Sequence, residues 1–236
     1  MFFDPLYLVV IGVGMALSLF AQARVKGTFG KYSRIATRSR LTGAQVAQAI
    51  LDRKGIRDVK IEPVRGRLSD HYDPRSKTLR LSEPVYGSNS MAAFGVAAHE
   101  VGHAIQHARG YAPLGFRSAW VPVANTGSGL SIIVLIIAAV LGGASTALGH
   151  TASLIGVILF ATTTVFTLIT LPVEFDASKR ALAALDSGGL VTREELAGAR
   201  KVLNAAAMTY VAAFITSMLT LLYWAFRLGL IGGRRN

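Results

Sequence analysis

The sequence predicts a mainly α membrane protein: about four transmembrane helices and a small α+β zincin-like domain that carries an HExxH pattern on a helix. Three observations predict it. Apolar residues make up 52% of the 236-residue chain and charged residues only 16%, with a mean hydropathy of +0.45; an average soluble domain carries about 25% charged residues. The missing charge is concentrated in four long apolar stretches, each near or above the roughly 20 residues that cross a bilayer core. Between the first two stretches lies a polar region that ends in His99-Glu100-Val101-Gly102-His103.

Residues 1–23 form the first predicted element, a transmembrane anchor whose apolar run covers residues 5–21. Six basic residues follow it: Arg24, Lys26, Lys31, Arg34, Arg38 and Arg40. Positive charge after the run, and an acidic Met1-Phe2-Phe3-Asp4 before it, is the reverse of a cleaved secretory signal. Ala21-Gln22-Ala23 does resemble a cleavage site. The charge order nevertheless predicts an uncleaved anchor with its N-terminus outside and residues 24–118 in the cytoplasm. The same placement accounts for the formal net charge of +12 without invoking nucleic acid, which calls for a basic patch on a soluble fold. The charge pattern therefore makes the lipid bilayer an expected partner and nucleic acid none; a protein or peptide substrate is expected from the pattern at residues 99–103 alone. With no cysteines and five histidines, disulfides are excluded, and any metal site must use imidazoles and carboxylates.

Within residues 24–118, Thr42 caps a predicted amphipathic helix over 42–53, with Val46, Ile50 and Leu51 on one face and Gly55 as its stop. Residues 59–64 alternate as a half-buried strand does. Two more short strands are expected at 68–72 and 78–81, joined by the turn residues 73–77. Ser88 or Ser90 starts a helix that ends at Arg109 before Gly110.

Residues 119–173 contain no charged side chain and predict a helical hairpin, with spans at 130–148 and 152–171 linked by Gly149-His150-Thr151. Residues 174–204 follow as a cytoplasmic helical segment. Within it, Thr192 and Glu195 have the spacing of a capping box. Residues 205–236 form a last helix that spans or lies against the membrane; if it spans, Arg234 and Arg235 run against the charge rule.

The chemistry is carried by the pentapeptide. Residues four apart on a helix share a face about 6 Å apart along the axis, so His99 and His103 can reach one zinc ion. Glu100 is rotated about 100° from His99, where it does not bind the metal but can take a proton from the attacking water. Ala97, Ala98, Val101, Ala104 and Ile105 around these polar residues suit a helix buried beside a cleft. A catalytic zinc takes a third protein ligand. His107 lies about 12 Å from His99 along a continuous helix, too far to share the ion. Glu174 follows the hairpin: two crossings return the chain to the face it left, and so bring a carboxylate back to the compartment of the two imidazoles. His150, in the expected turn, falls on the opposite side.

At these residues the chain resembles the YugP-type family of neutral zinc metallopeptidases. The resemblance rests on the N-terminal anchor, Asp70-His71-Tyr72-Asp73-Pro74, Thr78-Leu79-Arg80-Leu81-Ser82, residues 97–104 and Pro172-Val173-Glu174-Phe175-Asp176-Ala177-Ser178. More distantly it is similar to the HtpX-type membrane gluzincins, which pair HExxH with a later Glu-x-x-Ala-Asp. Glu174 and Ala177 match that pattern, and Ser178 stands where those enzymes have Asp. The resemblance implies a multi-pass protein of the cell membrane with its site facing the cytoplasm.

The sequence reading is therefore a metallopeptidase with one zinc ion on His99, His103 and Glu174. Glu100 is the catalytic base for peptide hydrolysis by zinc-activated water. For a donor to the oxyanion, the candidates are Tyr210, His71 and Tyr72. The 78–81 strand is expected to bind substrate backbone by strand addition. Two other readings stand beside this one: an intramembrane protease of the site-2 type, with Asp176 as the late ligand, and a non-catalytic membrane scaffold with a relic metal site.

Overall fold

The computed structural model describes residues 4–231, so Met1-Phe2-Phe3 and Arg234 and Arg235, on which part of the charge reading rests, lie outside the described residues. Among the described residues, seven α-helices and three strands follow in the order α1 (Pro5–Tyr32), α2 (Gly43–Arg53), β1 (Lys60–Val64), β2 (His71–Asp73), β3 (Thr78–Ser82), α3 (Glu83–Tyr86), α4 (Met91–Ala108), α5 (Ala112–Val140), α6 (Ala147–Ser187) and α7 (Arg193–Arg227). The chain divides into two compact units, residues 1–20 with 116–171 and 209–236, and residues 21–115 with 172–208.

The first unit draws on α1, α5, α6 and α7, all long and apolar enough to cross a membrane. Within it α5 and α6 approach closely through small and hydroxyl residues. A Cβ on Gly127 would lie 2.2 Å from Thr162 Oγ1, Ser131 Oγ donates to Gly156 O at 2.9 Å, and Trp120 Nε1 donates to Thr162 O at 3.0 Å. Such contacts hold helices together in lipid, where apolar side chains gain little by meeting each other. The connection between α5 and α6 corrects the expected one. It occupies residues 141–146, not 149–151, because Gly142 and Gly143 take φ values of +91° and +57°, a region costly for residues with a Cβ. His150 consequently sits in the first turn of α6, its N–H donating to Thr146 O at 2.8 Å.

The second unit is held by a protein core. Thr42 caps α2 through a complete capping box with Gln45, and Val46, Ile50 and Leu51 turn inward against α4, into the core that Leu79 and Leu81 also enter. The strand order is β1-β3-β2, with β1 parallel and β2 antiparallel to β3. Leu79 and Leu81 of β3 are fully buried. Because β3 is the central strand, both its edges are already paired, and the expected strand addition at 78–81 has no edge to use. The free edges belong to β1 and β2.

Helix α4 starts at Ser90, whose side chain accepts from Ala93 N–H, and it crosses the middle of this unit with Phe94, Ala97, Ala98 and Val101 fully buried. Against it packs the part of α6 beyond Pro172. At the crossing, a Cβ on Gly102 would lie 2.4 Å from the carbonyl oxygen of Ala177, so the bare glycine sets how near the two backbones come.

Candidate metal centre

That close approach positions the site. His99 and His103 flank Gly102 on α4, and Glu174 lies one turn before Ala177 on α6. Glu174 Oε2 is 3.1 Å from His99 Nε2 and 3.6 Å from His103 Nε2. The imidazoles meet edge to face with ring centroids 4.8 Å apart. Among the described residues these three are the one group of histidines and acids whose donor atoms all lie within 4.8 Å of one another. Tetrahedral zinc with bonds near 2.1 Å separates its ligand atoms by about 3.4 Å, so the spacing fits that ion.

The hydrogen bonds behind the ligands sharpen the fit. Gln106 is fully buried. Its Nε2 donates to Val173 O and to Asp176 Oδ2, both at 2.8 Å. Those two acceptors fix the amide's orientation and leave Oε1 facing His103 Nδ1 at 3.0 Å. An amide oxygen only accepts, so His103 Nδ1 carries the hydrogen. The Nε2 of the neutral ring then presents a lone pair towards a carboxylate, and two acceptors so placed need a cation between them. A proton or a metal ion satisfies that need. On the other ligand, His99 Nδ1 lies 3.1 Å from Ser178 Oγ, and Asp176 is in turn bonded by Arg180. Partners of this kind orient metal-binding imidazoles.

The ionisation of the site follows the same logic. Burial works against the Glu174 carboxylate, but hydrogen bonds from His103 and His99 outweigh it and lower the pKa. Burial lowers the His103 pKa, and the bond and charge of Glu174 more than restore it, so the net shift is upward. Glu100, also buried, is pushed up by loss of water, with His99 and His103 pulling the other way and Glu174 and Asp70 adding to the rise. A carboxyl with a raised pKa is closer to the neutral range in which a general base works best.

The other sequence-predicted residues are placed differently. His71 is exposed on β2, with Nδ1 2.8 Å from Ser69 O and Nε2 3.5 Å from Arg80. The Tyr72 hydroxyl lies 2.8 Å from His107 Nδ1. Burial, followed by the charges of Asp58 and Asp73, pushes the pKa of Tyr72 up to about 12. Tyr210 lies on α7 within the first unit. Asp176, the late ligand of the site-2 reading, accepts from Gln106 and Arg180 and is not in the ligand group.

Sequence reasoning missed Gln106. Its signal was there: a polar amide three residues after His103, on a helix whose neighbouring positions are small or apolar.

The model of the family described as "Putative neutral zinc metallopeptidase" matches residues 7–229. The chain belongs to that family. It is also similar to the "Putative membrane protease YugP" of Bacillus subtilis (strain 168), with 46% identity over 217 residues, 92% of this chain and 94% of that protein. No solved structure matches the chain. As in the family's description, the metal this donor set suits is zinc: two imidazoles and a carboxylate, no thiolate.

Proposed function

We propose that the chain is a zinc-dependent membrane peptidase that hydrolyses peptide bonds at a site facing the cytoplasm. The observation that carries this reading is the convergence of His99, His103 and Glu174, although the charge-free residues 119–173 separate Glu174 from the histidines in the sequence. The number and type of donors support one zinc ion. When bound, zinc acts as a Lewis acid that polarises a carbonyl and lowers the pKa of a water molecule towards neutrality.

The chain's own residues supply the rest. Glu100 takes the proton of the attacking water and returns it to the leaving amine. His103 is held in one tautomer by Gln106, and His99 is oriented by Ser178. For the oxyanion, Tyr210 and His71 are the proposed donors. Multi-pass embedding through α1, α5, α6 and α7 is supported by their length and apolar surface and by the name of the curated relative.

The test uses the full chain purified in detergent, with zinc content and cleavage of an unfolded protein as readouts. Glu100→Gln is expected to retain zinc and lose about 10²–10⁴-fold in rate; unchanged cleavage by that variant would end the peptidase reading. Glu174→Gln should lose zinc, whereas Asp176→Asn should keep most of it. The reverse result would favour the site-2 ligand set. The same cleavage assay on Tyr210→Phe and His71→Gln separates the two oxyanion donors, since only the true donor's loss lowers the rate without lowering zinc content.

A further inference from the structure

A second site lies away from the metal centre, in the same unit. A groove of about 480 Å³ is lined by Arg24, Gly27 and Lys31 of α1 and by Lys201, Asn204 and Met208 of α7, among others, and no carboxylate lines it. The charge rule alone explains why Arg24 and Lys31 follow an apolar run. It does not explain why a lysine about 170 positions away in the sequence joins them around one concavity. Among the described residues none of these three cations is paired with an acid.

The spacing on both helices is that of a single face. On α1, Arg24, Gly27 and Lys31 fall in successive turns. On α7, Lys201, Asn204 and Met208 do the same. Gly27 has nothing within 4 Å of where a Cβ would stand, so the groove stays open midway between the two α1 cations. The α7 stripe therefore passes from apolar to cationic along its helix, from Met208 to Lys201, beside the two cations of α1. An amphiphile with an anionic head and an apolar tail has the same gradient.

We infer that this groove binds the phosphodiester headgroup of an anionic phospholipid, with Arg24, Lys31 and Lys201 around the phosphate and the start of an acyl chain against Met208. Asn204 offers a hydrogen-bond donor to the headgroup oxygens. Basic pockets beside membrane helices bind anionic headgroups in this way. The inference rests on the membrane reading of α1 and α7 but not on peptidase activity.

The experiment has two stages, so that failure of one is not mistaken for failure of the other. Recovery of the full chain only in the detergent-extracted membrane fraction tests the membrane reading by itself; recovery without detergent would overturn both. The purified chain is then placed in nanodiscs of phosphatidylcholine containing phosphatidylglycerol, and the lipid it retains is measured by native mass spectrometry. Retention of phosphatidylglycerol over phosphatidylcholine is expected, falling roughly tenfold or more in Lys31→Gln/Lys201→Gln.

Gly27→Phe, which fills the groove without changing charge, should lose the preference as well. Lys26→Gln/Arg67→Gln, with equal charge removed elsewhere, should keep it. Equal loss in that control, or full retention in Gly27→Phe, would overturn the site. Glycerol phosphate at millimolar concentration should not displace the lipid; displacement would assign the groove to a soluble phosphate ester and overturn the lipid inference.

Discussion

Along α4, Phe94, Ala97, Ala98 and Val101 have no exposed surface, whereas along α5 Ile132, Ile133 and Val140 are 60%, 55% and 82% exposed. Both helices are rich in apolar residues, and hydropathy taken locally raises the thought of a membrane span for each. What separates them is the material that covers them. α4 is enclosed by α2, α3 and the sheet; α5 touches protein on a narrow stripe of small residues and leaves the rest bare. Bare aliphatic surface on that scale marks a membrane or protein partner. The contrast bears directly on mechanism, since the HExxH helix owes its apolar character to a protein core and needs no bilayer around it.

Substitutions can break or sharpen this contrast. The largest effect is expected from Phe94→Ala, which deletes a fully buried ring from the α4 core and should cost about 3–5 kcal/mol; denaturant unfolding in detergent would measure it. Gly102→Ala follows. Its new Cβ would meet the Ala177 backbone, which cannot swing aside like a side chain, so a cost of about 1–3 kcal/mol is expected, with a disproportionate loss of bound zinc. Stability lost with zinc affinity intact would contradict the role given to that crossing. Gln106→Leu keeps the volume but removes the acceptor that fixes His103, and zinc affinity should fall about 10–100-fold, read by competition with a chelator. The smallest effect belongs to Ile132→Ala on α5, expected within about 0.5 kcal/mol in detergent. A loss as large as that of Phe94→Ala would mean that α5 is covered by a partner chain.

The parts of this molecule legible in its sequence are those governed by local rules. Thr42 before α2, and Ser88 or Ser90 before α4, announce helix starts through capping chemistry, with Ser90 the actual cap, and the charge-free run over 119–173 announces the hairpin. Two imidazoles four apart need only the pitch of a helix to be read as a pair. The α5–α6 turn was displaced because two adjacent glycines, Gly142 and Gly143, offered a cheaper reversal than Gly149 alone. The order of the strands was not legible: pairing across the sheet depends on what α2 and α4 cover, and β3 became central because Leu79 and Leu81 meet that core. Gln106 was hidden for a similar reason. Its partners, Val173 and Asp176, are about 70 positions away, and only the α4–α6 crossing brings them together.

Position 102 in the motif is nominally free, one of the two letters that the HExxH pattern leaves unspecified. In this fold it is anything but interchangeable, since the distance from one helix to a carboxylate on another is set by the absence of a side chain there. A larger residue at 102 would require α6 to retreat by a compensating change around 177. The two positions are thus expected to vary as a pair in chains that keep their metal, and a lone bulky residue at 102 should mark a chain that has lost it.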